Sequence, residues 1–280
     1  MSASLDQNGL PPDNGEFWLF GYGFVLFFVV AHEAASSPDC VKVLTMAPVE
    51  MCICRSLIWK PPPHFDRRIP GFVTGYVRRF WQARYDQPHD PHVHYLNHRG
   101  TPTNPGRVVT LLERSYWETL TDHHDTAPDR VWGTAYRIRA DKVDEVKEYL
   151  DIREINGYTI HYTPFHPAPA AAADGGGPIR TLVYIGTPDN DQFVGPQDVQ
   201  ALAEHIYRSH GPSGPNIDYL LSLHDALEAL SPESGDEHVT DLARRVRLLA
   251  GRTTKTLTAG DAPHEFKHAK SIEEQEETEK

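Results

Sequence analysis

The chain is organised around a stretch that occurs in two parts, FWLFGYG at residues 17–23 and SLIWKP at residues 56–61. The large apolar and aromatic side chains of the first part predict a strand buried on both faces, and its glycines predict a tight turn. We interpret the second part as the other half of that turn and the segment that follows it. Between them, Phe24 to Arg55 matches neither part. We therefore interpret the two parts as halves of one strand and turn.

The joined turn has the composition of an anion-binding loop. Glycine lets the backbone approach a ligand closely, and successive N–H groups of Gly23, Ser56 and Leu57 can converge on an anion. No Walker lysine follows, so a carboxylate fits such a nest better than a polyphosphate does. A tight turn between two strands, without a ligand, is the alternative interpretation.

The composition is that of a folded, acidic protein. A chain of 280 residues, 39% hydrophobic and 24% charged, can bury one good core. The net charge of −12 disfavours nucleic-acid binding, because phosphates need a basic face. The three cysteines all lie between Phe24 and Arg55, and an odd number argues against a disulfide framework. A reducing, cytoplasmic compartment is therefore predicted.

The apolar run from Phe17 to Ala31 is shorter than the roughly 20 residues that a membrane-spanning helix needs. Acidic residues precede it, whereas a signal peptide begins with basic ones. We therefore expect no membrane association, with a signal anchor as the alternative.

Strand patterns dominate the first two thirds of the chain, and helical patterns gather in the last third. Strands are predicted at 17–22, 72–80, 107–113, 131–138, 158–163 and 179–185. Helices are predicted at 141–150, 196–208, 217–230 and 237–249. This order predicts an α+β fold in which helices pack on a small barrel or curled sheet. Residues 1–16 and 251–280 are predicted to be a disordered lead-in and a disordered acidic tail around a domain at 17–250.

A carboxylate-rich segment, YLDIRE at residues 149–154, lies between a predicted helix and a predicted strand. A carboxylate drawn into an apolar cleft there would have a raised pKa and could move protons. From the residues alone, a solvated ion pair between Glu154 and Arg153 is the alternative.

Taken together and in order, these segments resemble the ChaC-type, glutathione-specific γ-glutamylcyclotransferases. The further segments that carry the resemblance are GYVRRFWQ (75–82), HRGTPTNPGRVVTLLE (98–113), VWGTAYRI (131–138), LVYIGTPDN (182–190), GPSGPNIDYL (211–220) and DEHV (236–239). The resemblance spans Phe17 to Leu249. It implies a small mixed β-barrel of the γ-glutamylcyclotransferase-like type with flanking helices, and a lyase that works without a metal or cofactor.

The resemblance also implies the reaction and its residues. Glutathione would be cleaved to 5-oxoproline and cysteinylglycine by attack of its own α-amine, with Glu154 as general acid and base. The residues implied to bind the γ-glutamyl moiety are Tyr22, Gly23, Ser56 and Leu57. Arg79 and Tyr219 match motif positions that would line the pocket, with a strand-face arginine and a packed tyrosine as the alternatives.

The chain departs from the family at Phe24 to Arg55, which separates the turn glycine from Ser56. We interpret this segment as a translated intron, since its two borders can be encoded with splice-donor and splice-acceptor sequences in the same phase. If it is translated, we expect poor activity, because it divides the predicted nest.

A second departure is the additional loop from Arg84 to Leu96. It contains or adjoins a group of histidines, namely His89, His92, His94 and His98. A solvated loop is the favoured interpretation, because no cysteine or well-placed acidic partner accompanies them, and a metal site is the alternative.

Two other functions remain open from the sequence. The chain could be a cyclotransferase for other γ-glutamyl amines, or an inactive γ-glutamyl-binding protein with a divided loop. The oligomeric state is not predicted.

Overall fold

The computed structural model describes residues 6, 9–23, 28–30, 57–58, 61–84, 93–95, 99–151, 158–169 and 177–257. Its strands are β1 (Phe17–Gly21), β2 (Phe28–Val30), β3 (Phe65–Thr74), β4 (Tyr76–Arg84), β5 (Val93–Tyr95), β6 (Gly106–Glu113), β7 (Arg130–Ile138), β8 (Tyr158–Pro167), β9 (Ile179–Gly186), β10 (His210–Gly211) and β11 (Gly214–Pro215). Its helices are α1 (Arg114–Trp117), α2 (Val143–Asp151), α3 (Val199–Arg208), α4 (Asn216–Leu230) and α5 (Glu237–Leu257), and a 3₁₀ turn at Ala140–Lys142 precedes α2.

A closed barrel with the strand order β1-β7-β3-β8-β9 forms the centre of the fold. Its neighbouring strands are antiparallel except at the closure, where β1 and β9 run parallel with Leu19 opposite Leu182. Every residue of β1 is buried, as its apolar composition predicts. The α+β fold with a small mixed barrel and flanking helices is therefore confirmed.

A two-stranded sheet of β4 and β6 connects the barrel to the helices. Phe80 of β4 packs its ring 5.8 Å from that of Tyr219 in α4 and 6.2 Å from that of His238 in α5. Helices α3, α4 and α5 pack on one another and share the main core with the barrel. The main core thus fixes the sheet of β4 and β6 between the barrel and the helices.

Several element boundaries differ from the prediction, including the end of β8, which lies at Pro167, and the start of α3, which lies at Val199. The single strand predicted at 72–80 is two strands, because Gly75 takes a φ of +83° and turns the chain between β3 and β4. Helix α5 continues through Gly251 to Leu257. In the described part of the chain, no helix is both long and apolar enough to cross a membrane.

The two segments that depart from the family pair with each other. Strand β2 lies within 24–55, strand β5 lies within 84–96, and they form a two-stranded antiparallel sheet with Val29 opposite His94. Apart from β2, β5 and Arg84, which ends β4, both segments lie outside the described residues. The interpretation of 24–55 as a translated intron therefore stays a hypothesis.

Candidate active site

The predicted turn lies at one end of the barrel. Because β1 and β9 run parallel with Leu19 opposite Leu182, Gly23, which follows β1, and Gly186, which ends β9, lie at the same end. Strand β8 begins there as well, since Tyr158 pairs with Gly186. The chain therefore brings three segments that are distant in sequence to one end of the barrel.

Leu57 packs directly on Gly21. A Cβ atom built on Gly21 would overlap with the Cβ of Leu57 and would lie 3.0 Å from its carbonyl carbon. Leu57 and Ile58 are both buried in the main core. The halves that Phe24–Arg55 separates in sequence are therefore neighbours in the structure, as the interpretation of one divided turn requires.

Gly23 takes a backbone conformation that favours glycine, with a φ of +138°. A Cβ atom here would lie 2.8 Å from Val109 Cγ1 and 2.9 Å from Leu223 Cδ1. Strand β6 and helix α4 thus close on this turn from two sides and leave no room for a side chain.

Tyr219 holds the turn through its phenol. Its hydroxyl donates to the Gly23 carbonyl at 2.6 Å, and the Val109 N–H donates to that hydroxyl at 3.4 Å. Burial raises the pKa of Tyr219, so the phenol stays protonated and remains a donor. Tyr22 is also buried, with its ring 6.2 Å from that of Phe20.

Arg78 is a buried cation beside Tyr22 and Tyr219. The sequence did not single it out. Its guanidinium donates to the Trp132 carbonyl and, at 3.5 Å, to the Asp236 carboxylate. Burial lowers the pKa of Arg78, whereas the charge of Asp236 counteracts that change. Tyr22 and Tyr219 lie close enough to interact with its charge. The signal was present in the VRRFWQ motif, where two adjacent arginines in a strand point in different directions.

Arg79, which the resemblance selected, has different surroundings. Its Nε donates to Asp122 at 2.5 Å, and one terminal nitrogen donates to the His124 carbonyl at 3.0 Å. The Trp117 indole donates to the same Asp122 oxygen at 2.9 Å. These contacts favour the alternative, a strand arginine that fixes the loop after α1, and its role in the pocket stays a prediction.

A buried histidine pair ties β4 to α5. The Phe80 N–H donates to His238 Nε2 at 3.1 Å, so the other ring nitrogen carries the hydrogen and faces His124 Nδ1 at 3.3 Å. His124 Nε2 lies 3.3 Å from the Asp241 carboxylate. Burial lowers the pKa of His238 well below its ordinary 6.5, and the positive charge of Arg79 adds to this effect. His238 is therefore neutral.

Some of the predicted residues lie outside the described residues, namely Ser56, Glu154, His89, His92 and His98. Of the predicted substrate-binding set, the structure brings together Tyr22, Gly23, Leu57 and Tyr219.

Comparison with solved structures gives the class of fold. A glutathione-specific γ-glutamylcyclotransferase from yeast superposes with a TM-score of 0.59 at 31% sequence identity, over 84% of this chain and 99% of that one. This is the barrel and helix arrangement of the γ-glutamylcyclotransferases.

Comparison of sequences gives the family. The profile of the ChaC-like proteins matches residues 54–249. A glutathione-specific γ-glutamylcyclotransferase of Schizosaccharomyces pombe is 43% identical over 71% of this chain and 92% of its own length. A human protein named glutathione-specific γ-glutamylcyclotransferase 1 is 35% identical over 68% of this chain and 75% of its own length. The chain belongs to the ChaC-like family.

Proposed function

We propose that the chain is a glutathione-specific γ-glutamylcyclotransferase, a lyase that converts glutathione to 5-oxoproline and cysteinylglycine. The observation that carries the proposal is the reunited turn: Leu57 packs on Gly21, and Tyr219 holds the Gly23 carbonyl at 2.6 Å. Relatives that are 35% to 43% identical and are named for this activity support it.

The reaction is an intramolecular aminolysis. The substrate's α-amine nitrogen bonds to its γ-carbonyl carbon, which closes the 5-oxoproline ring, and the bond from that carbon to the cysteinyl nitrogen breaks. The attacking ammonium loses a proton and the leaving amine gains one. Holding the γ-glutamyl chain bent supplies much of the acceleration, because fixed proximity can contribute roughly 7 kcal/mol or more.

Glu154 is the general acid and base in this proposal. It takes the proton from the attacking ammonium and delivers one to the cysteinyl nitrogen, a role worth about 10²- to 10⁴-fold in rate. Its place in the chain supports this role. Glu154 precedes Tyr158 by four residues, a span of at most about 14 Å, and Tyr158 begins β8 opposite Gly186 at the end of the barrel that carries the turn.

The turn holds the γ-glutamyl end of the substrate. The backbone N–H groups of Gly23, Ser56 and Leu57 bind the carboxylate in a nest, and Tyr22 completes this side of the pocket. Tyr219 keeps the Gly23 carbonyl directed away from the nest. Because Gly23 and Leu57 are buried and held by contacts before binding, little ordering of these two residues is needed when the substrate arrives. The location that the sequence predicts for such an enzyme, the cytoplasm, is part of the proposal.

The test is release of 5-oxoproline from glutathione and from γ-glutamyl amino acids. We expect release from glutathione, and we expect the Glu154→Gln variant to be nearly silent because it cannot exchange the proton. Asp144→Asn, which removes an exposed carboxylate of α2, is the matched control and should keep its rate. Release from other γ-glutamyl compounds alone, or from none, contradicts the proposal, as does a fully active Glu154→Gln variant.

A further inference from the structure

Arg68 of β3 is a cation that lies against the divided turn. The residue is exposed to solvent, and one terminal nitrogen of its guanidinium donates to the Ile58 carbonyl at 3.4 Å. Ile58 directly follows Leu57, whose N–H belongs to the proposed anion nest, and consecutive Cα atoms are only about 3.8 Å apart. The charge of Arg68 therefore acts on the second half of this turn.

The barrel places Arg68 on the same face as the turn. Arg68 lies opposite Tyr136 in the ladder of β3 and β7, and Tyr136 lies opposite Leu19 in the ladder of β7 and β1. Directly opposite residues project to one face of a sheet, and Gly21, two residues after Leu19, belongs to the same face. Leu57 packs on Gly21 from this side. Arg68 and the turn are therefore neighbours on one face of the barrel.

Among the residues that the structure describes, no carboxylate lies within ion-pair distance of Arg68. Asp66, two residues earlier on the same strand, pairs with Arg137 at 2.8 Å. The buried Arg78, in contrast, has its own carboxylate partner, because Asp236 lies 3.5 Å from it. Arg68 is thus an exposed cation beside the turn whose charge these acidic groups do not compensate.

A carboxylate that binds to this turn needs a cation nearby. A nest of backbone N–H groups carries no net charge, and the net charge of −12 of the protein repels an anion. Arginine stays charged throughout the physiological pH range, and its planar fork of donors matches both oxygens of a carboxylate. Because Arg68 is exposed and its hydrogen bond to Ile58 is long, the guanidinium can turn towards a bound anion.

We propose that Arg68 binds the α-carboxylate of the substrate's γ-glutamyl group, together with the backbone nest of the turn. Arg68 thereby selects compounds whose γ-glutamyl group keeps a free carboxylate, since a site built to bind a substrate group discriminates against analogues that lack it. This inference rests on the proposed function and adds the charged residue of the γ-glutamyl site. The product 5-oxoproline retains the same carboxylate, so it binds to the same residue.

5-Oxoproline is the decisive probe, because its only carboxylate is that of the former γ-glutamyl group. In calorimetric titrations of the full chain, we expect Arg68→Gln to raise the Kd for 5-oxoproline about tenfold, since glutamine keeps a donor for the Ile58 carbonyl but carries no charge. Arg68→Lys, which keeps the charge, should recover most of the affinity. The difference between Arg68→Gln and the wild type should shrink between about 0.01 M and about 1 M salt, because salt screens an exposed charge.

Arg67→Gln is the matched control, since Arg67 is the adjacent exposed arginine and successive residues of a strand point to opposite faces. It should bind 5-oxoproline as the wild type does. 2-Pyrrolidinone, the same ring without the carboxylate, should have equal affinity for the wild type and Arg68→Gln.

Three results overturn the inference while the proposed function stands. They are wild-type affinity of Arg68→Gln for 5-oxoproline, a loss of affinity that salt does not change, and a wild-type chain that does not bind 5-oxoproline. A wild-type chain that binds 5-oxoproline through Arg68 but releases none from glutathione overturns the proposed function alone.

Discussion

Tyr219 joins helix α4 to the turn after β1 through one phenol, and that bond can be tested alone. In Tyr219→Phe the buried Gly23 carbonyl loses its donor at 2.6 Å and the Val109 N–H loses its acceptor. We expect the free energy of unfolding to fall by about 1–3 kcal/mol, because these groups stay buried. We also expect a lower kcat/KM for glutathione. Urea denaturation and 5-oxoproline release measure the two effects.

Tyr162→Phe is the control for this substitution, since Tyr162 of β8 is 42% exposed and its hydroxyl can reach water. It should change neither quantity. Equal stability of Tyr219→Phe and the wild type would show that the phenol does not hold the turn.

At the scale of elements, the contact between Gly21 of β1 and Leu57 predicts a measurable coupling. Gly21→Ala places a Cβ where Leu57 Cβ already lies, so we expect it to cost about 1–3 kcal/mol of stability. In a Leu57→Gly background the same substitution should cost less, because the overlapping atom is gone. A double-mutant cycle by urea denaturation gives the coupling free energy.

Gly235→Ala is the control for the glycine substitution, since a Cβ there meets no atom within 4 Å. If the costs of Gly21→Ala and Leu57→Gly simply add, the two halves of the turn do not pack on each other.

The buried His238, which joins α5 to β4, predicts that the free energy of unfolding depends on pH. The folded state holds His238 neutral with a pKa well below 6.5, whereas the unfolded chain binds a proton near 6.5. The contribution is therefore complete above pH 6.5 and is lost as the pH falls from there towards the folded pKa. Denaturation series between pH 8 and pH 5 should show this decline.

His238→Gln is the matched variant, because its side-chain oxygen can still accept from the Phe80 N–H but does not titrate. Its stability should vary less over the same range. An equal slope in both proteins would assign the pH dependence to other groups.

The bounds of the strands and helices show how much of the fold the sequence could predict. Strand β1 and helix α4 end within one residue of their predicted bounds, because β1 is a continuous apolar run and α4 has apolar residues at helical spacing. The prediction of a single strand around Gly75 is wrong, because periodicity alone does not show that a glycine turns the chain. Residues inside long motifs, such as Tyr219, could be selected from the sequence.

The burial of Gln82 in β4 could not be predicted in this way. A glutamine in a strand usually faces solvent, so its sequence context gives no sign of burial. Its burial depends on a bulge opposite Val108 and on close packing against Gly186, both set by tertiary packing. Such contacts between distant segments follow from the whole fold.

For the whole molecule, the segment 24–55 predicts a gain of activity on deletion. We expect the full-length chain to turn over glutathione poorly and the chain without 24–55 to regain activity. The entropy of closing a long loop is small, but an anion nest displaced by about 1 Å can lose roughly 100-fold in rate. Parallel rates of 5-oxoproline release measure the difference.

The deletion also removes β2 and leaves β5 without its partner strand. Because an unpaired edge strand promotes association, a second variant that also lacks 85–96 separates this effect from the activity. Equal turnover by the full-length and shortened chains contradicts the expectation. A spliced transcript that retains the codons for 24–55 in most copies contradicts the intron interpretation.

The parallel closure between Leu19 and Leu182 determines when the barrel can close during synthesis. Strand β1 leaves the ribosome first, yet its partners β7 and β9 are synthesised much later. Contacts so distant in sequence form slowly, and the early strand stays exposed until they do. A nascent chain halted before Gly186 therefore carries an open sheet, which makes the first aromatic strand a natural target for chaperones during translation.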